Sequence, residues 1–307
     1  MDRPNRPAAL ASTPGQPESQ VQTTSSDTRV SATLPTGDSV EVLLYGATVT
    51  SWKTPARENL FVSSAAILDG SKPVRGGIPL VFPVFGPAPA GSKLPQHGFA
   101  RNVKWEFLGK STSEGESSVK LDFGLSWATL PEDWRTKWEH KFGLVYSVTL
   151  APGSLSTALV VSNEGDEAFE FQSLLHTYLS VDDIQNVQIA GLDNSPYIDK
   201  VPSATAKTQS GLIAFSGETD RVYSPPTPPS DPVTVQEGGK TRFRVVRDNL
   251  PDVVVWNPWV EKAAGMGDFE PKDGWKNMVC VEAGSVSAWT KLEKGDVFEG
   301  AQTIYAE

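Results

Sequence analysis

The chain has 307 residues, a formal net charge of −10 and 38% hydrophobic residues. That length allows one large domain with a sizeable core. The acidic balance excludes a dense basic surface, so neither nucleic acid nor an anionic membrane is an expected partner, while a small anion held by a few pocket arginines remains open.

Residues 1–27, "MDRPNRPAALASTPGQPESQVQTTSSD", are rich in Pro, Ser, Thr and Gln and read as a disordered tail. Prolines stand where a signal peptide would have its apolar centre. Arg3, Arg6 and Arg29 in a Ser/Thr-rich setting hint at a transit peptide, but Asp2, Glu18 and Asp27 count against one. No apolar stretch approaches the ~20 residues of a membrane-spanning helix. The expected location is cytoplasmic, and the expected folded unit is one domain, 28–307.

From Val30 onward period two dominates. "VSATL" and "VEVLLYG" flank the turn "PTGDS". "SVKLDFGLSW" puts Val119, Leu121, Phe123 and Leu125 on one face. "LPEDWRTKWEH" fits about two helical turns, with Trp134 and Trp138 four apart as packing residues. Two strands surround the turn "NEGDEA", and "EKGD" joins another pair near the C-terminus. "YSPPTPPSDP", 223–232, reads as a stiff surface loop. Short strands with frequent Gly, Pro, Asn and Asp punctuation predict an all-β antiparallel sandwich. No βαβ rhythm or Gly-rich phosphate loop supports a nucleotide-binding α/β fold.

Chemistry narrows by elimination. The single cysteine, Cys280 in "MVCVEAG", allows no intrachain disulfide and reads as a buried thiol. His97, His140 and His176 are far apart and lack HxH or HExxH partners, so no metal is expected. A G-x-S-x-G elbow is missing, and Ser216 lies in another context. Acid/base residues are better placed. His176 interrupts the apolar "FQSLLHTYLSV", either as a hydrogen-bonded core histidine or as a proton carrier. Glu282 ends an apolar run, either facing water or buried with a raised pKa suited to a general base. Arg75 precedes Gly-Gly and Arg101 closes "QHGFAR", two arginines beside glycines that suit a shared anion. Trp256 and Trp259 bracket Asn257 and Pro258, as core packing or as a platform for a sugar ring.

Together, "RGGIPLVFPVFG", "QHGFAR", "LLHTYLSV", "GETDRVY", "VVWNPWVEKAAGMGDFEP" and "MVCVEAG" resemble the aldose 1-epimerase (mutarotase) superfamily, and within it the glucose-6-phosphate 1-epimerases. The likeness runs from about residue 30 to the C-terminus. It implies a large twisted antiparallel β-sandwich of the galactose mutarotase-like supersandwich type, with sugar bound on a concave face and no metal or cofactor. By motif it implies His176 as general acid and Glu282 as general base. Arg75, Gln96, His97, Arg101 and Asp220 would bind substrate, the arginines taking the phosphate. The implied partner is a small-molecule hexose 6-phosphate, chiefly glucose 6-phosphate, and a monomer is expected. The other readings are an epimerase of unphosphorylated sugar and a phosphosugar-binding sandwich without catalysis.

Overall fold

The computed structural model describes residues 19–23, 28–113, 117–201 and 203–307. Most of the expected tail, 1–27, lies outside these residues. Within it, Gln20–Thr23 forms a strand where a tail was expected, pairing with Arg29–Thr33. Val21 packs against the core there, an apolar contact hidden among polar neighbours.

Among the described residues the strands form antiparallel sheets of five, nine and eight strands. Period two is the local cause. Val119–Ser126 buries Val119, Leu121, Phe123 and Leu125 on one face, as alternation predicts. The nine- and eight-stranded sheets face each other across a shared core. Phe171 of one meets Phe298 of the other with ring centroids 5.3 Å apart. Between the same sheets, Gln302 Nε2 donates to Thr177 Oγ1 at 2.8 Å.

This layering reinterprets two expected strand pairs. Ser154–Asn163 and Phe169–Leu175 do flank "NEGDEA", but they lie in different sheets. Met278–Leu292 and Val297–Ala306, joined at "EKGD", are separated in the same way. Both turns therefore cross between layers and do not close hairpins.

Helix is sparse. Glu132–Arg135 is a single turn, shorter than the two expected. Trp134 packs on Phe99, and Trp138 packs on Phe82, Phe99 and Phe169, so both tryptophans serve the core. A second helix, Trp259–Gly265, lies where a tryptophan platform was one reading. The Asn257 side-chain oxygen accepts the Trp259 backbone N–H at 2.9 Å and starts that turn. Segment 223–232 is largely irregular and exposed, as expected. No helix among the described residues is long and apolar enough to cross a membrane.

Candidate active site

Strand register assembles the site on one face of the eight-stranded sheet. Residues directly opposed across a ladder point to the same side. Asp220 opposes Trp256, Trp256 opposes Cys280, and Cys280 opposes Tyr178. The adjacent row carries Val222, Val254 and Glu282. His176 sits in the break between Phe169–Leu175 and Tyr178–Ser180, its backbone N–H donated to Pro79 O at 3.0 Å. Residues distant in sequence thus share one floor, below a pocket of about 390 Å³.

His176 Nδ1 lies 3.4 Å from Glu282 Oε1. Its ring stacks on Tyr178 at 4.8 Å and 13°, and Trp256 meets both rings edge-on. The Glu282 side chain is only 1% exposed, and its Oε2 has no hydrogen-bond partner among the described residues. A buried, unsatisfied carboxyl oxygen is costly unless a ligand or a proton compensates it. Burial, with Asp220 adding to it, pushes the Glu282 carboxyl well above the usual range. Burial, with His97, Arg101 and Arg75 adding to it, holds His176 well below the ordinary histidine value. Burial thus works against charge on both members of this pair.

His97 enters from the loop 96–101. Its backbone has φ 67°, and Gly98 follows at φ 71°. A Cβ on Gly98 would stand 2.1 Å from Phe82 O, so only glycine fits this approach. His97 Nδ1 accepts the Gly86 N–H at 3.1 Å, and His97 N–H is donated to Gly86 O at 2.9 Å. With Nδ1 committed as acceptor, the proton of the neutral ring is on Nε2. Burial, with Arg101, Lys200 and Arg75 nearby, lowers His97 to about 3. His97 Nε2 lies 3.3 Å from the Gln96 side-chain amide, and its ring centroid is 6.0 Å from that of His176.

The cations divide into tethered and free. Arg75 Nε lies 3.2 Å from each Asp268 carboxylate oxygen, and Nη1 donates to Tyr178 OH at 3.2 Å. Lys262 pairs with Glu218 at 2.6 Å. Neither Lys200 nor Arg101 has a carboxylate within ion-pair distance among the described residues. Lys200 Nζ rests 4.0 Å from the centre of the Phe85 ring, and burial lowers its pKa. Arg101 donates to Gln96 O at 3.2 Å, while its buried Nε finds no acceptor among the described residues. Burial, with Arg75 adding to it, lowers Arg101 to about 10.

The fold brings Arg75, Gln96, His97, His176, Asp220 and Glu282 to one cavity. Arg101 adjoins this group, its Nη2 donated to the backbone oxygen of cavity-lining Gln96. Trp256 lines it, whereas Trp259 turns away to pack on Trp275 at 4.4 Å. Sequence reading missed Tyr178, Lys200 and Asp268. Tyr178 was within reach, because it lies two residues after His176. Lys200 was not, since its place depends on Pro196–Asp199 pairing with Thr219–Tyr223.

Residues 29–305 match the family model described as aldose 1-epimerase. A relative from Cenchrus ciliaris, named "Putative glucose-6-phosphate 1-epimerase", is 36% identical over 272 residues, covering 87% of this chain and 80% of its own. One of the same name from Escherichia coli is 36% identical, covering 85% and 84%. Among solved structures, a "putative mutarotase (YeaD)" from Salmonella typhimurium superposes with TM-score 0.80 at 31% identity, covering 91% and 90%. Galactose 1-epimerase from Lactobacillus acidophilus shares the fold at TM-score 0.68 and 16% identity, covering 94% and 98%. The match from residue 29 to residue 305, with relatives at 36% identity over most of both chains, places this protein in the aldose 1-epimerase family.

Proposed function

We propose that this epimerase interconverts the α and β anomers of hexose 6-phosphates, chiefly glucose 6-phosphate, with Glu282 and His176 as the proton-transfer pair. The carrying observation is the 3.4 Å contact between His176 Nδ1 and Glu282 Oε1 on the floor of a pocket walled by cations. Relatives named for glucose 6-phosphate support the substrate class.

In ring opening, Glu282 carboxylate takes the proton of the C1 hydroxyl. The C1–O5 bond breaks as a C1=O double bond forms, and imidazolium His176 protonates O5. The open aldehyde rotates about C1–C2. In closure, neutral His176 takes the O5 proton as O5 attacks the other face of C1, and Glu282 returns a proton to O1. Atoms and charge balance without a cofactor. The neutral pair favoured by burial is the form that meets the open chain. The open chain meets the tautomer with its proton on Nδ1 and Nε2 free to accept; the tautomer with its proton on Nε2 can take a second one from Glu282 at Nδ1, which gives the carboxylate and imidazolium that meet the ring. Each positioned acid or base contributes ~10²–10⁴-fold.

Phosphate binding is assigned to Arg101 and Arg75, with Gln96 and His97 addressing the sugar and Asp220 accepting from its hydroxyls. The phosphate does not react, so its binding energy serves to orient the ring. Rates of anomer equilibration for glucose 6-phosphate, glucose and galactose test this assignment. A clear preference for the phosphorylated sugar is expected. Equal or higher kcat/KM on a neutral sugar would overturn the substrate class.

A further inference from the structure

We propose that His176, Cys280 and Glu282 form a binding site for a thiophilic divalent cation of the zinc class, and that this cation shuts the pocket to sugar. The three side chains each offer one donor atom, and these atoms all lie within 4.8 Å of one another. His176 Nδ1 is 3.4 Å from Glu282 Oε1 and 3.9 Å from Cys280 Sγ. Zinc bonds of ~2.0–2.3 Å at tetrahedral angles hold neighbouring ligand atoms roughly 3.3–3.7 Å apart, so a small inward shift completes the geometry. Three protein ligands leave a fourth position for water.

Sequence spacing conceals the set, because His176 and Cys280 are 104 residues apart. Register creates it. Cys280 and Glu282 are two apart on one strand and share a face, and His176 projects from the break in the neighbouring edge. Two of the three ligands line the open pocket, which supplies the entry path. A nitrogen, a thiolate and a single carboxylate oxygen select zinc or cadmium over magnesium or calcium, which prefer all-oxygen shells. The cation would occupy both groups assigned to proton transfer, so it acts as an inhibitor and not as a cofactor. The inhibition, though not the binding, rests on the epimerase reading.

The test is titration of the metal-free protein with Co²⁺ alone, followed by optical absorption, with Zn²⁺ and Mg²⁺ as competitors. One Co²⁺ per chain should bind with a sulfur-to-cobalt charge-transfer band that Zn²⁺ abolishes and Mg²⁺ does not. Cys280→Ser and Cys280→Ala should both lose the band and at least tenfold in Zn²⁺ affinity. Circular dichroism and a cooperative thermal unfolding transition near that of wild type would show that these variants are folded. Binding without the band, or unchanged Zn²⁺ affinity in a folded Cys280 variant, overturns the site. Co²⁺ binding with the band but no anomer exchange in metal-free wild type would keep the site and sink the epimerase reading instead.

Discussion

His176 Nδ1 stands 3.4 Å from Glu282 Oε1, just beyond the 2.7–3.2 Å of an ordinary N–H···O hydrogen bond. The contact is close enough to exchange a proton and loose enough that neither group is locked by the other. Nδ1 turned toward Glu282 leaves Nε2, which has no partner among the described residues, for the substrate.

Glu282→Gln removes the base while keeping the shape. It should lower kcat for anomer exchange by about 10²–10⁴-fold and leave hexose 6-phosphate affinity within a few-fold. Calorimetric binding beside a rate assay separates the two effects. Near-wild-type turnover would refute the assignment of Glu282.

Arg101→Ala should raise KM for glucose 6-phosphate by at least tenfold, since hydrogen bonds to charged groups are worth about 1.5–3 kcal/mol. KM for glucose should change little. A parallel rise for both sugars would place Arg101 in loop support, through its bond to Gln96 O, and not in phosphate binding.

Among the described residues Lys200 has no carboxylate within ion-pair distance, and its charge lowers the Glu282 pKa. Lys200→Met removes that influence, so the Glu282 pKa rises further and less carboxylate exists at neutral pH. The acid limb of the kcat/KM profile should therefore move to higher pH. An unchanged limb would show that Lys200 does not act on the base.

His97 supplies a stability prediction with a definite sign. Its folded pKa is lowered to about 3, against ~6.5 when unfolded. The unfolded chain alone takes up the proton in between, so stability is full above ~6.5 and falls as pH drops toward 3. The slope approaches about 1.4 kcal/mol per pH unit for this group. His97→Asn tolerates the positive φ of 67° and removes the titration. Its Tm should fall less between pH 7.5 and pH 5 than that of wild type, and an equal fall would contradict the shift.

Much of the fold was legible because period two is a local signal. Val119, Leu121, Phe123 and Leu125 face inward as their alternation required. Partnering was not legible: "NEGDEA" and "EKGD" look like hairpin turns, yet each passes the chain to the opposite sheet. Motif and residue type pointed to His176, Glu282 and the loop 96–101. Lys200 and Asp268 reach the site through long-range pairing and a packed loop, which one-dimensional spacing cannot encode. Cys280 read correctly as buried, but its row, opposite Tyr178 and beside His176, follows only from register.

The most direct test of the central claim is two-dimensional exchange NMR on equilibrated α and β glucose 6-phosphate, with wild-type protein and with Glu282→Gln at equal concentration. Strong exchange cross-peaks between the anomeric protons are expected with wild type, and only the uncatalysed background with the variant. Wild-type protein that leaves exchange at background, or a variant that matches wild type, would contradict the account.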